Sequence, residues 1–333
     1  MRTSPAHIRA RPLRAVCAAL VIGLAPLAAG AQAPPRGGAA AESPGPGTRQ
    51  LRAFPSPEEA VRALIAAIQA QTMQPLEAIL GRQVLGTIPP AERQSTELRR
   101  ATGDWLAAQP FDISYPDEGQ RSRAVALFGS TQVPLPARLV RSPRGWTFDP
   151  AATIEALRER RIGVNEANAL RAMRDLARAQ DRFRLSNRVG DGVLQYAMHI
   201  GSSGPGRLDG LVTHGMAPGE SLDFLNPPFA QAEGEPGDAR LNPPSGYGYK
   251  ILTAQGPNAE GGARSYLANG KLTEGFAAVA WPVRPGETGL STFIMNHQGR
   301  IFEREFGERT LEEVRRITAF DPGPGWDAVN EAE

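Results

Sequence analysis

Five short strand-like runs in the last third of the chain constrain its fold most strongly. Gly, Pro or Asn separates each run from the next, and Asn296-His297-Gln298-Gly299 is typical of a tight turn between the last two. The runs are residues 247–253, 264–268, 276–281, 291–296 and 300–305. This pattern predicts an antiparallel meander.

A long helix is predicted before this meander, over residues 165–185. Its apolar positions recur at helical spacing and lie opposite a face of arginines and acids, which is typical of a helix packed on a core. The apolar positions are Leu170, Met173, Leu176, Ala177 and Phe183. Gly163 is expected to separate this helix from a preceding one that begins at Asp149-Pro150. We therefore predict a C-terminal α+β domain over residues 150–330, with one long helix on an antiparallel sheet.

A smaller α+β domain is predicted before it, over residues 53–149. Ser56-Pro57-Glu58-Glu59 has the pattern of a capping box with proline at the first helical position. Further helices are expected at residues 75–80 and 92–109, and strands at residues 111–115, 123–128, 137–141 and 146–148. Helices followed by a curved antiparallel sheet are similar to the cystatin-like or nuclear-transport-factor-like class.

Residues 1–31 have the pattern of a signal peptide. Four arginines precede a short apolar run over residues 15–29, and Ala29-Gly30-Ala31 offers a small-residue cleavage site. Residues 32–52 are rich in Pro, Gly and Ala, so we expect a disordered lead. The sequence thus predicts a periplasmic or secreted protein whose mature chain begins near Gln32 and has no membrane span.

The charge and cysteine content exclude several function classes. The full chain has 37 basic and 35 acidic residues, and removal of the four arginines in residues 1–31 would make it slightly acidic. Nucleic-acid binding is therefore not indicated. Cys17, the only cysteine, lies within the signal peptide, so cysteine nucleophiles, disulfides and thiolate metal sites are not expected in the mature chain.

Few residues suggest catalysis. The candidates for a catalytic role are His199, His214, His297 and Glu303. Glu303 and Glu305 share one face of a strand and could form an acid/base pair, although a charged edge strand has the same pattern. Gly201-Ser202-Ser203-Gly204 lacks the Gly-x-Ser-x-Gly spacing of a nucleophile elbow and is typical of a turn. No metal site and no cofactor is predicted from these spacings.

A second group of residues could bind a ligand. The glycine-rich segment 256–262 contains Asn258, and its backbone could approach a ligand closely, although a long hairpin turn has the same composition. Aromatic side chains could line a groove for a polymer or peptide, or could instead pack as cross-strand pairs in the core. These aromatic candidates are Tyr247, Tyr249, Tyr266 and Trp281.

Several long blocks carry a resemblance to a known family. "GYGYKILTAQGPNAEGG" at residues 246–262, "GFAAVAWP" at 275–282 and "STFIMNHQGRIFEREFG" at 291–307 resemble the bacterial family called domain of unknown function 2950 (DUF2950). The similarity covers roughly residues 54–326 and implies an exported location but no activity. The long helix followed by an interrupted antiparallel sheet is also similar to the globular part of type IV pilins.

Two functions follow as hypotheses. The first is a non-enzymatic exported envelope protein that works as an interaction or assembly module, with an envelope protein or polymer as its partner. The alternative is a periplasmic hydrolase with an Asp/Glu/His site in the interdomain cleft. An export signal and few catalytic motifs favour the first hypothesis.

Overall fold

The fold class is α+β, as the sequence predicts. The computed structural model describes residues 50–117, 119–213, 223–225, 227–239, 241, 243 and 245–330. The chain forms two compact units that meet in sequence between Leu157 and Arg158. Within the described residues, no helix has both the length and the apolar character needed to cross a membrane.

The first unit places four helices before an antiparallel sheet. The helices are α1 (Pro57–Gln69), α2 (Gln74–Gly86), α3 (Pro90–Gln94) and α4 (Thr96–Ala107). The strands are β1 (Phe111–Ser114), β2 (Arg123–Phe128), β3 (Val133–Pro134), β4 (Leu139–Ser142) and β5 (Gly145–Phe148). The single helix predicted over residues 92–109 is thus two helices, because the side chain of Ser95 caps a new helix by accepting the backbone N–H of Leu98.

Helix α1 packs its apolar face in the core that it shares with this sheet. Ser56 caps the helix by accepting the N–H of Glu59 at 3.1 Å, which confirms the predicted start. The helix buries Val61, Leu64 and Ile68 in a core shared with Phe128 and Phe148 of the sheet. The sheet order is β1-β2-β4-β5, with β3 paired to β2.

Helix α5 runs without interruption from Pro150 to Leu185. The predicted break at Gly163 is wrong. One interior glycine costs a helix about 1 kcal/mol relative to alanine. Ile162, Asn165 and Glu166 are all buried beside Gly163, and we attribute the continuity of the helix to this packing. Asp149 caps the start, since its Oδ1 accepts the N–H of Ala152 at 3.1 Å.

Replacing Gly163 with alanine is expected to stabilise the protein by about 0.5–1 kcal/mol. A Cβ atom at this position would meet no other atom within 4 Å, so alanine adds helix propensity without a clash. Chemical denaturation of Gly163→Ala beside the wild type measures the change. A destabilised Gly163→Ala would contradict the continuous helix.

The second unit contains the remainder of α5 and the larger sheet. Its first strands are β6 (His199–Gly201) and β7 (Gly210–Val212), followed by a 3-10 helix at Pro227–Ala232. The next are β8 (Tyr247–Leu252), β9 (Ala254–Gln255), β10 (Arg264–Ser265), β11 (Leu267–Ala268) and β12 (Lys271–Leu272). The last elements are β13 (Ala277–Pro282), β14 (Ser291–Asn296), β15 (Ile301–Glu305), a 3-10 turn at Gly307–Arg309, α6 (Thr310–Arg316) and β16 (Asp327–Ala328).

The main sheet of this unit is antiparallel, with the order β16-β15-β14-β13-β8. The predicted strand 264–268 is divided between β10 and β11, which pair with different partners, β9 and β12. Tyr266 lies between them with its side chain fully buried, and its N–H bonds to the carbonyl of Thr253 at 2.8 Å. Within the segment expected to be irregular, β6 and β7 form a short parallel pair.

Three buried polar side chains in the part of α5 that belongs to the second unit hold the backbone of other segments. Asn165 donates to the carbonyl of Thr288 at 2.9 Å. Glu166 accepts the N–H groups of Leu290 and Ser291. Gln180 pairs with both backbone groups of Ala197, donating to the carbonyl and accepting the N–H. These contacts fix one face of α5 to the sheet side of the unit and leave its opposite face to solvent.

Candidate functional site

An open groove runs along α5 in the second unit, with a volume of about 290 Å³. One wall is the solvent-facing side of the helix. The other wall is formed by residues 223–225 and by Phe229 of the 3-10 helix. The helix supplies Asn168, Arg171, Ala172, Asp175 and Arg182, and the facing segment supplies Asp223, Phe224, Leu225 and Phe229. The groove therefore combines charged groups with an apolar wall, as ligand sites do.

Hydrogen bonds and ring contacts fix the apolar wall. The N–H of Phe224 bonds to the carbonyl of Leu211 at 2.9 Å, which attaches the segment beside β7. The Phe224 ring lies edge-on to Phe183 of α5, with centroids 5.8 Å apart. Phe229 packs on the buried ring of Tyr249, with centroids 4.5 Å apart. The two phenylalanines are thus anchored to the core while part of each side chain remains accessible.

The two acids of the groove are already engaged by neighbouring groups. Asp175 forms an ion pair with Arg178, one helical turn along α5. Asp223 accepts the N–H of Thr213 at 2.8 Å and its hydroxyl at 3.1 Å. Burial lowers the pKa of Arg188, and the nearby Asp223 carboxylate opposes this change. The negative charges in the groove are therefore compensated locally.

Two guanidinium groups of the groove contact only neutral acceptors among the described residues. Arg171 donates to Oδ1 of Asn168 at 2.9 Å, and Arg182 donates to the carbonyl of Phe224 at 2.6 Å. Both side chains are exposed on α5. They lie eleven positions apart, close to three full helical turns, so they project from the same face. The groove thus presents two positive charges that no described carboxylate pairs with.

The candidate His199 lies in β6 beside a second polar cluster. Ser203 donates its hydroxyl to Asp209 at 2.5 Å and its N–H to the same carboxylate at 3.0 Å. Burial raises the pKa of Asp209, but the bonds from Ser203 and the charge of His199 outweigh it, and the net pKa is lowered. Glu233 accepts the N–H groups of Ile200 and Gly201. The carboxylates in this cluster therefore hold backbone and turn geometry.

The candidate His297 lies in the β14–β15 turn and packs on Tyr266, with ring centroids 5.5 Å apart and nearly perpendicular planes. Gly275, at φ +139°, makes room for both rings, because a Cβ atom there would lie 2.9 Å from Nδ1 of His297. The hydroxyl of Tyr266 donates to Gln255 at 2.8 Å. The amide of Gln255 in turn donates to the carbonyls of Glu260 and Gly262. This arrangement closes the glycine-rich segment 256–262 as a hydrogen-bonded loop.

The stability of the protein is expected to fall as the pH drops below 6.5, in part because of His297. Burial lowers the pKa of His297, the charge of Arg264 lowers it further, and Asp181 opposes both. The folded chain therefore binds fewer protons at this site than the unfolded chain between the lowered pKa and 6.5. The contribution of His297 to the free energy of unfolding is complete above pH 6.5 and is lost as the pH falls through the folded-state pKa of His297.

Urea unfolding at a series of pH values from about 8 to about 5 measures this dependence. His297→Gln is expected to reduce the slope below pH 6.5 relative to that of the wild type. Equal slopes for the wild type and His297→Gln would show that the imidazole environment differs from the one described.

The aromatic binding candidates belong to the core. Tyr247, Tyr249, Tyr266 and Trp281 each have 0% exposed surface. Tyr247 donates to the carbonyl of Ser291 at 2.8 Å, and burial raises the pKa of Tyr249. These four side chains therefore pack in the core and do not line a groove for a polymer or peptide.

The other candidates lie apart from the groove. Asn258 is exposed and donates both its N–H and its side-chain amide to Asp321. Glu303 is half-buried in β15, in register with Phe293 on one side and Asp327 on the other. His214 lies outside the described residues. Across the described part of the chain, no group of three or more His, Cys, Asp or Glu side chains is placed to hold a metal ion.

The groove is not predicted by the sequence patterns described above, although two signals for it are present. Arg171, Asp175, Arg178 and Arg182 follow one helical face, which the sequence presented only as a charged surface. Phe224 and Phe229 are aromatic residues in a stretch otherwise rich in Gly, Pro and acids. What the sequence could not supply was the contact between these elements, which are about 40 positions apart.

A family model places the chain among known proteins. The model for "Protein of unknown function (DUF2950)" matches residues 51–329, so the chain belongs to this family. Neither the search of the curated proteins nor that of the solved structures finds a match. The likenesses to type IV pilins and to the cystatin-like or nuclear-transport-factor-like class therefore stay predictions.

Proposed function

We propose that this member of the DUF2950 family is exported and acts in the cell envelope as a non-enzymatic interaction or assembly module. The observation that carries the proposal is the groove along α5. It is open and partly apolar, and its two acids are compensated while its two arginines have no described carboxylate partner. Aromatic and arginine side chains supply much of the binding energy in protein interfaces, which suits a polypeptide partner.

The polar cluster of β6 and β7 favours binding over hydrolysis. A serine nucleophile needs a nearby base whose pKa is close to the working pH. The hydroxyl of Ser203 donates to Asp209, whose pKa is lowered, and a carboxylate of this kind is a weak proton acceptor. We therefore assign Ser203 and Asp209 a role in holding the turn between β6 and β7.

Capture in intact cells tests the proposed function. A tagged full-length chain would be crosslinked, purified and examined for co-purifying envelope proteins. Beside it we would use Ala172→Trp and Asn168→Trp, which place an indole in the groove, and Arg100→Trp on α4 as a control for an added surface indole. We expect the wild type and Arg100→Trp to retain the same partner, and both groove variants to lose it.

Two checks make the capture decisive. The groove variants should unfold at the same denaturant concentration as the wild type. If Ala172→Trp is destabilised, Asn168→Trp alone is used to test whether a blocked groove loses the partner. A partner retained equally by all folded variants would contradict binding in the groove. Recovery of a monomer without any envelope partner would contradict the interaction module itself.

Export has a direct test of its own. The signal-peptide pattern predicts that the chain recovered from the envelope or medium begins near Gln32. Mass spectrometry of the N-terminal peptide, together with cell fractionation, measures this. A cytoplasmic chain that retains residues 1–31 would contradict the proposed location.

A further inference from the structure

We infer that the groove along α5 binds an extended acidic polypeptide segment, with two carboxylates that pair with Arg171 and Arg182 on either side of an apolar side chain. This inference rests on the proposed function and names the chemistry of the partner. It follows from the distribution of charge, from the distance between the two arginines and from the apolar wall of the groove.

The charge distribution selects an acidic segment over a basic one. Asp175 is paired with Arg178, and Asp223 is bonded to Thr213, so neither acid is available without breaking an existing contact. Arg171 and Arg182 contact only an amide oxygen and a backbone carbonyl, respectively. A guanidinium can form two parallel hydrogen bonds with one carboxylate, which gives both charge pairing and orientation.

The separation of the arginines sets the spacing of the carboxylates. Eleven residues of α-helix correspond to a rise of about 16 Å. An extended polypeptide covers this distance in about five residues at roughly 3.3 Å each. Because the side chains of an extended segment alternate between its two faces, only an even spacing turns both acidic side chains towards the helix. The best ligand therefore carries acidic side chains at positions i and i+6, and the length of the arginine side chains accommodates the difference of one residue.

The apolar wall faces the helix that carries the two arginines. Phe224 is held by Phe183 and by the guanidinium of Arg188 over its ring, and Phe229 is held by Tyr249, so the accessible parts of both side chains are fixed surfaces. Ala172 is the small residue on the facing helix and leaves the groove open beside them. An apolar side chain in the middle of the acidic segment would remove these rings from water.

Fluorescence anisotropy with labelled peptides tests the inference on the full mature chain. The probe is a peptide with Glu at i and i+6 and Leu at i+4, so that all three side chains lie on one face of the extended segment. Matched probes replace both Glu residues with Gln, replace both with Lys, or move the second Glu to i+2. Arg171→Gln and Arg182→Gln remove the proposed pairs, and Arg100→Gln on α4 controls for net charge.

We expect the i, i+6 acidic peptide to bind most tightly, and its binding to weaken as salt is added. Each groove substitution should lower its affinity about threefold, and the double substitution about tenfold, which corresponds to exposed or partly exposed ion pairs. Arg100→Gln should leave the affinity unchanged. Arg171→Gln is the cleaner variant, because Arg182 also contacts the backbone of Phe224.

Other results would overturn the inference in distinguishable ways. Equal binding of the Gln, Lys and i+2 peptides, blocked by Ala172→Trp, would reject the acidic segment but keep the groove as a binding site. Tight binding of a non-peptide polyanion such as polyphosphate, with none of the acidic peptides, would move the partner to another chemical class. Failure to bind any probe, together with a partner-free protein in the cellular capture, would reject the proposed function.

Discussion

Gln180→Leu is expected to lower the free energy of unfolding of the second unit by about 2–4 kcal/mol, since each buried polar group left without a partner costs about 1–3 kcal/mol. The Gln180 side chain is 0% exposed and pairs with both the carbonyl and the N–H of Ala197, at 2.9 and 2.8 Å. Leucine fits an apolar stripe but satisfies neither group. The change should therefore destabilise the unit even though it makes α5 more apolar.

Hydrogen exchange measured on peptides that contain residues 195–201 gives the clearest readout. The amide of Ala197 should exchange faster in Gln180→Leu, together with the beginning of β6, because their attachment to α5 is lost. Gln231→Leu, at an exposed position, is the matched control and should change neither stability nor exchange. An unchanged exchange rate at Ala197 in Gln180→Leu would contradict the paired geometry.

Glu166→Ala is expected to have an effect of similar size, about 2–4 kcal/mol, because two backbone N–H groups lose a charged acceptor at once. The Glu166 side chain is only 3% exposed, and its Oε1 lies 2.9 Å from the N–H of Leu290 and 3.2 Å from that of Ser291. Glu166→Gln keeps an oxygen in place and should cost clearly less. The difference between the two variants measures the hydrogen bonds separately from the packing.

The measurement is equilibrium unfolding of both Glu166 variants, with Glu287→Ala as the control. Glu287 is an exposed acid that pairs with Arg284 in the segment just before β14, and surface pairs of this kind contribute less than about 1 kcal/mol. An equal loss of stability in Glu166→Ala and Glu287→Ala would show that Glu166 does not hold the start of β14.

Local sequence patterns predicted the elements of the fold well. The predicted strand at residues 291–296 is found over the same residues, the runs at 247–253 and 300–305 differ from their strands by one residue at one end, and the run at 276–281 is shifted by one residue. These strands are continuously apolar or alternate, and turn residues separate them, so neighbouring residues carry the necessary information. The break predicted at Gly163 is wrong because the low helix propensity of glycine favours a break, whereas the packing of neighbouring residues favours a continuous helix.

Long-range contacts are the part that the sequence did not show. Gln180 occupies a position in phase with Met173, Leu176 and Phe183, so its burial could have been inferred from the helical period. Its partner, Ala197, lies beyond the end of the helix and carries no polar side chain to indicate the contact. The groove could not be predicted for the same reason, because Arg182 and Phe224 become neighbours only when the chain folds.

The histidine candidates show why residue type alone did not locate the site. His199 lies in β6 beside Asp209, and His297 is packed against Tyr266, in two separate environments. None of the described residues that line the groove is a histidine, and the chemistry of the groove comes from arginines and phenylalanines that no catalytic motif describes. The reactive residue types in the sequence therefore indicate positions other than the groove along α5.

The most direct test of the groove as the binding site is photo-crosslinking from position 172 in intact cells. A photoreactive amino acid would replace Ala172, which lies on the helical wall of the groove, and in a second strain it would replace Arg100 on α4. We expect a discrete crosslinked adduct from position 172 that is absent from position 100. No adduct from position 172, or the same adducts from both positions, would contradict the proposed role of the groove.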